Sequence, residues 1–371
     1  MSVLHRTTGD TMGSSSRARC ALVILLLAAC APRTGAPPVA PADSTALEAE
    51  RARVANDPDG LTRVGIRFYE AKSFARAQDV LAAALALDPN AFDAAVYLGL
   101  AHEGLGEWDA ALRTYRQAQG LRIPGRQRSQ VEQRIVALTR TRLADEARRA
   151  VAAEASLAST PPVPNTVAVL RFSYLGDNAD LRPLEVGLSH LVLSDLAKVR
   201  RLTLLERERV QALTDELALG ASGRVEPATA ARSGRLLRAE RVVQGAIRDD
   251  GSRIRIDAAV VSTADTQVRA NGTASDRLEQ ILAMEKAVVL QLLERLGVTP
   301  TPAELRAIEE RPTADLQAFL AFSRGLEAED RRDFSAAARA FQDAVSRDPA
   351  FRAARDRAAM SARLSAAVSM S

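Results

Sequence analysis

The feature that most constrains the fold is a repeated pattern between residues 61 and 124, in which small and apolar residues return at one fixed spacing. The spacing is the distance from Gly65 to Gly99, which we call the repeat period. The first segment contains Leu61, Val64, Gly65, Phe68, Ala77, Leu81, Ala84 and Pro89. The second contains Ala95, Leu98, Gly99, His102, Ala111, Tyr115 and Ala118, with Pro124 closing it one residue late. A period of this length is typical of helical repeats that bury their apolar faces by stacking on one another.

These positions resemble the tetratricopeptide (TPR) family, in which each repeat is a pair of antiparallel helices. Gly65 and Gly99 are small where two helices would touch. His102 falls on a core position of the repeat, which favours a packed imidazole over a ligand. The resemblance predicts TPR repeats over residues 58–158, capped by one long, charged, alanine-rich helix from 126 to 158.

The first helices of neighbouring TPR repeats line a concave groove, and this groove is the predicted partner site. Counting repeat positions places six residues on it: Arg63, Ile66, Tyr69, Val96, Tyr97 and Leu100. Apolar and aromatic side chains on such a surface favour the docking of a protein partner. The alternative is that two repeats serve only as a spacer.

The amino terminus has the pattern of an export signal. A basic segment precedes the apolar run from Ala21 to Ala29, which is far shorter than the ~20 residues needed to span a bilayer. The run ends in Leu27-Ala28-Ala29-Cys30, which resembles the bacterial lipobox, where signal peptidase II cuts before a cysteine that carries diacylglycerol. Residues 1–29 are therefore predicted to be a lipoprotein signal peptide, the alternative being an ordinary secretory signal with a chance cysteine.

A lipid on Cys30 is the only covalent modification that the sequence predicts. Three histidines and two cysteines are too few and too scattered for a zinc site or a disulfide framework, so no metal and no cofactor is expected. Residues 30–57 are predicted to form a proline-rich tether behind the lipid. Ala31 stands where an aspartate would signal retention in the inner membrane of many Gram-negative bacteria. We therefore expect a lipid anchor in the outer membrane, with the folded regions facing the periplasm.

A proline cluster at residues 161–164 separates the repeats from a region of mixed periodicity, residues 166–297. Its elements follow the order β-α-β-α-α-β-β-β-α. The predicted strands are Thr166–Phe172, Leu202–Glu206, Arg241–Ile247, Arg253–Ser262 and Gln267–Thr273. The predicted helices are Leu181–Lys198, Arg207–Leu217, one opened by Pro227, and Ser275–Leu296. The chain is thus predicted to be an α+β multidomain protein, with all-α repeats flanking an α/β domain that has a mixed five-stranded sheet.

Several segments of this region resemble the CsgG family of curli-secretion lipoproteins. They are Val167–Phe172, the loop Gly176-Asp177-Asn178, Gly187-Leu188, Glu206-Arg207-Glu208-Arg209, Gly220–Ala231 and Val242-Val243-Gln244-Gly245. The resemblance extends over about residues 167–297 and implies a periplasmic domain that assembles into a ring. The pore-forming hairpins of the curli channel have no counterpart in the short connections predicted here.

The carboxyl terminus is predicted to hold a third TPR-like repeat. Residues 298–313 carry three prolines around an amphipathic stretch and are predicted to be a linker. Residues 314–371 recover the repeat spacing with Gly325, Ala337, Phe341, Ala344 and Pro349. Arg324 stands where an apolar residue is usual, and a helix from Ala350 onward would cap the repeat.

Charge and motif content exclude several functions. Fifty basic and 46 acidic residues interleave along the chain, which indicates solvated helix faces rather than a nucleic-acid footprint. Phosphate loops, nucleophile elbows and metal-binding helix motifs are not found. Ser189 and His190 are neighbours in a helix and are interpreted as structural. Asp177, Asn178 and Asp180 favour a capped turn over a cation loop.

Together these features predict a non-catalytic outer-membrane lipoprotein that acts as a periplasmic interaction scaffold, in curli-like secretion or envelope assembly. Its partners would be periplasmic or outer-membrane proteins, with homo-oligomerisation through the CsgG-like domain as a further option. Nucleic acid is not expected as a partner. One alternative is an oligomeric secretion-channel component of the CsgG type. A third hypothesis is an envelope enzyme with an unrecognised site.

Overall fold

A computed structural model describes residues 41–121, 125–157, 159–217 and 227–368 of the chain. Helices occupy both ends, and a sheet with flanking helices lies between them. The predicted α+β class is therefore confirmed. Among the described residues, no helix is both long enough and apolar enough to cross a membrane.

The amino-terminal region is all-α. Its helices are α1 (Pro41–Arg53), α2 (Pro58–Glu70), α3 (Phe74–Leu87), α4 (Phe92–Gly104), α5 (Trp108–Gly120), α6 (Gly125–Ala152) and α7 (Glu154–Leu157). Short loops join α2 to α3 and α4 to α5, so each pair forms a helical hairpin, and both helices of the second hairpin begin one repeat period after those of the first. The hairpins follow the repeat that the sequence predicts, while their TPR identity stays a prediction.

Glycine allows the two helices of each hairpin to approach closely. A Cβ atom built on Gly65 would lie 2.5 Å from Leu81 Cγ, and one on Gly99 would lie 2.5 Å from Tyr115 Cε1. Both separations are far below van der Waals contact, so a larger residue at either glycine must push the hairpin apart. The predicted role of these two glycines in packing is confirmed.

The predicted tether, residues 30–57, is in part a packed helix. Leu47 in α1 is 3% exposed and belongs to the same apolar cluster as Leu61 and Val64 of α2. Glu50 also forms an ion pair with Arg67. The proline content that predicted an extended tether lies mainly before Pro41, whereas Leu47 provides an apolar contact that holds α1 against α2.

The predicted long helix also differs at its end. It runs from Gly125 to Ala152, and Ala153 separates it from the short helix α7. The first half of α6 packs on α5, and its second half reaches the helices of the central region. One helix therefore connects the amino-terminal hairpins to the domain that follows.

The central region contains a mixed sheet. Its strands are β1 (Val163–Val169), β2 (Ser173–Leu175), β3 (Thr203–Leu204), β4 (Ala239–Asp249), β5 (Ile254–Ser262) and β6 (Val268–Asp276), in the order β3-β1-β4-β5-β6 with β2 also paired to β4. Its helices are α8 (Leu184–Leu196), α9 (Arg207–Glu216), α10 (Pro227–Leu237) and α11 (Ile281–Arg295). β1 is parallel to β3 and β4, whereas β4, β5 and β6 form the antiparallel meander that the sequence predicts.

Two details of this region correct the prediction. The sheet has six described strands instead of five, because Ser173–Leu175, which lies between the first predicted strand and the acidic loop and was assigned to neither, pairs with β4 from Ser173 opposite Ala246 onward. The last helix begins at Ile281 and not at Ser275, because β6 continues to Asp276. A strand as short as β2 is too brief to show a period-two alternation, which explains why it was missed.

The sheet has apolar residues on both faces. Val243, Ile247 and Ile256 point to α8 and α11 and belong to the largest core of the protein. On the opposite face, Val242 and Val261 pack under α10 in a smaller cluster that α6 and α9 complete. Alternation along β4 and β5 thus assigns successive residues to two separate cores.

The carboxyl-terminal helices are α12 (Pro302–Glu309), α13 (Leu316–Asp330), α14 (Phe334–Arg347) and α15 (Arg352–Val368). α12 lies within the predicted linker 298–313. It begins with a capping box between Thr301 and Glu304, and its Ile308 is fully buried. Phe319 and Phe341 share one continuous core with the sheet. The third hairpin, α13 and α14, is therefore packed onto the central region and does not form a core of its own.

Candidate functional site

The candidate functional site is a groove between α4 and α6, which we call the amino-terminal groove. Its volume is about 520 Å³. The apolar side chains along it are Phe92, Val96, Leu100 and Val131, and Tyr115 lies below them. This is within the size range of sites that bind peptides or small molecules.

A hydrogen-bonded cluster fixes one side of the amino-terminal groove. Arg134 of α6 donates to both carboxylate oxygens of Glu103, from Nε at 2.7 Å and from Nη2 at 2.9 Å. The Tyr115 hydroxyl donates to Glu103 Oε1 at 2.6 Å. Burial, followed by this bond to Glu103, raises the pKa of Tyr115 far above its ordinary value, so its hydroxyl keeps its proton. The cluster holds α6 at a set distance from α4.

The structure distributes the six predicted groove residues over two neighbouring surfaces. Val96 and Leu100 lie in the amino-terminal groove. Tyr69 and Tyr97 pack edge to face, with ring centroids 5.5 Å apart. Beside them, Ile66 is partly buried and Arg63 is exposed, 3.6 Å from Asp57 Oδ2. The proposed binding role of all six stays a prediction.

The sequence reasoning missed the residues that α6 contributes. Val131 stands one repeat period after Tyr97, and Arg134 stands one repeat period after Leu100. The start of α6 thus occupies the place of the first helix of a third repeat, even though the glycine position is Gln133. Continuing the repeat period beyond Pro124 would have found this wall of the groove.

The third hairpin has a face equivalent to the one that carries Val96, Tyr97 and Leu100, but there the face is buried. The spacing from Gly325 to Phe341 equals that from Gly99 to Tyr115, and a Cβ atom on Gly325 would likewise collide with the Phe341 ring. Counted from the glycine, Leu326 therefore corresponds to Leu100. The three positions equivalent to Val96, Tyr97 and Leu100 are almost completely buried: Phe322 is 1% exposed, and Ser323 and Leu326 are 0% exposed.

Helix α8 covers this equivalent face. A Cβ atom on Gly187 of α8 would collide with Ser323 Oγ and would lie 3.1 Å from Phe319 Cζ. The ring of His190, one turn further along α8, packs 5.8 Å from the Phe322 ring. The repeat face that is open at Val96 and Leu100 thus contacts α8 through Phe322 and Ser323, and Leu326 on the same face is 0% exposed.

The Glu206-Arg207-Glu208-Arg209 segment joins the three regions. Arg207 Nη1 donates to Asp330 Oδ1 at 2.6 Å, and Arg171 Nη2 donates to Asp330 Oδ2 at 2.8 Å. Arg209 forms an ion pair of 2.7 Å with Glu146 of α6. The amino terminus of α9 therefore binds both the carboxyl-terminal hairpin and the long amino-terminal helix.

Of the polar residues that the sequence interpreted as structural, His102 and Ser189 have hydrogen-bond partners, whereas His190 Nδ1 is buried and has none among the described residues. His102 Nδ1 lies 2.7 Å from Glu107 Oε2, and the histidine is 9% exposed. Ser189 donates its hydroxyl to Glu185 O at 2.7 Å within its own helix. Burial, followed by the charges of Arg357 and Arg207, lowers the pKa of His190 to about 3, so the imidazole is neutral at physiological pH.

The acidic loop before α8 is a capped turn. Asn178 Oδ1 accepts a hydrogen bond of 3.0 Å from the backbone N–H of Asp180, at the start of a 3₁₀ turn over Ala179–Leu181. This bond confirms the capping interpretation for Asn178. Within the part of the chain that the structure describes, no group of three or more His, Cys, Asp or Glu side chains is placed to hold a metal ion. The predicted lipidation site, Cys30, lies outside the described residues.

Comparison with known protein families gives a match for one segment of the chain. A family model described as "Curli production assembly/transport component CsgG" matches residues 148–256. The match runs from the end of α6 into β5 and includes α8, α9 and α10. The CsgG part of the resemblance is thus confirmed over this segment. A search of curated proteins finds no match.

Proposed function

We propose that this protein is a non-catalytic scaffold of the bacterial outer membrane, lipid-anchored at Cys30, that recruits protein partners in the periplasm for curli-like secretion or envelope assembly. The CsgG-family match over residues 148–256 supports the curli-related role and the outer-membrane location. The helical hairpins on either side of that segment support the recruitment of partners.

The observation that carries the proposal is the difference between two equivalent repeat faces. Helix α8 fills the face at Leu326, whereas at Leu100 no described helix takes the place of α8. The face that carries Leu326 packs against an apolar helix. The equivalent face at Leu100 is therefore suited to bind a helix from another protein. We therefore assign to the amino-terminal groove a partner helix with an apolar stripe and, like Gly187 in α8, a small residue at its centre.

The way α6 is held supports a scaffold with fixed geometry. Arg134 connects α6 to the groove, and Glu146 connects the same helix to Arg209 of the CsgG-like segment. Both residues lie on one continuous helix. A partner in the amino-terminal groove is thereby positioned relative to the central domain, which is what an assembly scaffold requires.

A second candidate function is that of an oligomeric CsgG-type secretion-channel component. The family match itself favours it, since the same segment carries the match in either case. The short turns of the described meander, residues 250–253 and 263–267, favour the scaffold. Planar-bilayer recording on the purified full-length protein separates the two, because the scaffold gives no discrete conductance steps and a channel component does.

The groove assignment is tested by site-specific photo-crosslinking in bacterial envelopes. A crosslinking amino acid replaces Leu100 in the groove or, as a control, Arg113 on the exposed surface of α5. The proposal predicts a discrete protein adduct from position 100 and none from position 113. Equal adducts from both positions, or none from position 100, would contradict partner binding in the amino-terminal groove.

Lipidation is tested separately with Cys30→Ser. The variant should lose the lipid and appear as a soluble, unprocessed or mis-sorted protein. Fractionation of Cys30→Ser with membranes as in the wild type would overturn the anchor and leave the groove assignment standing.

A further inference from the structure

A second open surface of the described chain lies on the sheet, chiefly on the face opposite α8 and α11. One end of this face is covered, because Val242 and Val261 pack under α10. The other end forms a groove of about 780 Å³ over β2, β4, β5 and β6. We call it the sheet groove. Apart from Pro227, at the start of α10, no described residue of α6, α9 or α10 lines it.

The floor of the sheet groove is made of small and hydrogen-bonding side chains. In register across the strands, Gln244 lies opposite Ala259, and Ala259 lies opposite Asn271. In the next row, Asp257 lies between Ala246 and Thr273. Alternation along the strands explains this composition, since the residues between them face the apolar core.

The charged side chains of the sheet groove are three arginines and one aspartate. Arg255 Nε lies 2.8 Å from Asp257 Oδ1, and Arg248 Nε lies 3.4 Å from Asp257 Oδ2. Both arginine side chains remain 54% exposed. Arg295 is exposed at the rim and has no ion-pair partner among the described residues. The groove therefore carries a net charge of about +2.

Asp257 orients the two arginines without using all their donors. Burial works to raise the pKa of Asp257, but the hydrogen bond from Thr273 and the guanidinium of Arg255 hold it below its ordinary value. The carboxylate is thus ionised at neutral pH. Because each guanidinium has five N–H donors in a fixed plane, Arg248 and Arg255 keep terminal N–H groups that can bind a further carboxylate.

Gln244, on the floor of the sheet groove, has incomplete hydrogen bonding. Its Oε1 atom is buried and has no hydrogen-bond partner among the described residues. An unpaired buried amide oxygen is costly, and the exchange of its O and N positions would leave an unpaired donor instead. The atom is out of reach of a ligand in the groove as the side chain lies, so a peptide backbone, which supplies both N–H and C=O groups, pairs with this amide only when the side chain turns toward the groove.

The lining also distinguishes between anionic ligands. No aromatic side chain is among the described residues that line the sheet groove, so it has no platform on which nucleic-acid bases could stack. Four strands at ~4.8 Å spacing give a floor about 14 Å across, the length of roughly four extended residues. These dimensions suit a short extended peptide.

We propose that the sheet groove binds an acidic, extended segment of a partner protein. Carboxylates of the segment pair with Arg248, Arg255 and Arg295, and its backbone lies over the row of Gln244, Ala259 and Asn271. This surface lies on a different region from the amino-terminal groove and does not depend on the function assigned to that groove.

The test measures binding of defined peptides to the purified full-length chain by fluorescence anisotropy. The probes are a labelled peptide of five Glu-Thr repeats, a matched peptide of five Lys-Thr repeats and an oligothymidylate of the same length. We expect saturable binding of the acidic peptide, weakened by added salt, and no comparable binding of the other two probes. Equal binding of all probes, preferential binding of the oligothymidylate, or no binding of the acidic peptide would overturn the proposal.

Charge reversal locates the site. Arg255→Glu should weaken binding of the acidic peptide by about tenfold or more, because it removes charge-assisted hydrogen bonds and adds repulsion. Arg113→Glu makes the same change of charge on exposed α5 and should leave binding unchanged. Arg295→Glu, which breaks no ion pair in the described structure, repeats the test if Arg255→Glu unfolds. Equal loss in the Arg113 and Arg295 variants would show that the peptide follows net charge and does not bind in the groove.

Discussion

The amino-terminal and carboxyl-terminal hairpins share their internal packing and differ in what covers them. Gly99 against Tyr115 and Gly325 against Phe341 make the same close contact between helices. Yet Leu100 is only partly buried, whereas Leu326 is 0% exposed on the face whose Phe322 and Ser323 contact α8. A repeated set of residues thus builds the same kind of hairpin in both regions, and the neighbouring helix decides whether its outer face is core or surface.

This difference has an energetic meaning. In the carboxyl-terminal hairpin, Phe322 and Leu326, which are equivalent to Val96 and Leu100, belong to the same core as the sheet. Truncation of either side chain therefore affects the stability of the whole domain. In the amino-terminal hairpins, the cores are small and separate from it. We expect substitutions at equivalent positions to have very different effects on stability.

The largest effect is expected from Leu326→Ala. Removal of a fully buried leucine side chain from a packed core costs about 2–5 kcal/mol of unfolding free energy. Chemical denaturation followed by circular dichroism measures it on the full chain. A cost below that of Leu100→Ala would mean that α8 does not cover the third hairpin.

The sequence could predict the hairpins but not this burial. Gly65, Gly99 and Gly325 mark the close contacts by spacing alone, and Asp250-Gly251 marks the turn of the meander, where Gly251 has a φ of +85°. The burial of Leu326 depends on α8, which lies far earlier in the chain and belongs to the central region. Repeat spacing predicts the contacts within one hairpin. It does not predict which helix from elsewhere in the chain packs on the outer face of that hairpin.

The sequence predicted the candidate site, like the fold, only in part. Val96 and Leu100 follow from the repeat, because position within a hairpin is local information. Phe92 was not singled out, and Arg134 was missed because α6 lacks the glycine that marks the other repeats. The Asp330 contacts with Arg171 and Arg207 join distant segments and could not be read from either one.

The second effect is a pH dependence that arises in α11, whose Met284 and Val288 belong to the same core as the carboxyl-terminal hairpin. Burial, followed by the nearby Asp195 carboxylate, raises the pKa of Glu285 from 4.5 to about 8, although Lys286 opposes the shift. Because the folded state binds this proton more tightly than the unfolded state, its contribution is full below pH 4.5 and is lost as pH rises through about 8. The loss amounts to a few kcal/mol at most.

Glu285→Gln tests this pH dependence. The wild type should lose more stability than the variant between pH 5 and pH 8 in thermal melts. His190, whose pKa is lowered, makes the opposite contribution in both proteins, so it cancels in the difference. Parallel pH profiles for the two proteins would show that Glu285 does not titrate between these values.

A third effect tests the hairpin contact that both regions share. Gly99→Leu places a side chain where a Cβ atom already lies 2.5 Å from Tyr115, and overpacking of this kind costs about 1–3 kcal/mol or more. The melting temperature should fall further than in Leu100→Ala. The reverse order would show that the repeat register is wrong.

The fourth effect tests the junction between the regions. Asp330→Asn weakens the pairing with both Arg171 and Arg207, and we expect a loss of about 1–3 kcal/mol because the aspartate side chain is only 13% exposed. Hydrogen exchange should show faster opening of α13 than of α4. Unchanged exchange in α13 would mean that the ion pairs do not secure the hairpin.

The smallest effect is expected from Leu100→Ala. Its side chain lies on the open groove, so stability should change by less than about 1 kcal/mol. Partner crosslinking from a neighbouring groove position, Val96, should nevertheless decrease. A large loss of stability would place Leu100 in the core and remove it from the proposed binding surface.

The most direct test of the central claim is the thiol reactivity of Leu100→Cys and Leu326→Cys, each in the full chain with Cys20 and Cys30 replaced by serine. The account predicts rapid labelling at position 100 and labelling at position 326 that is slower by orders of magnitude, since it requires α8 to detach or the domain to unfold. Similar rates at the two positions would contradict the claim that one repeat face is open and its equivalent is filled.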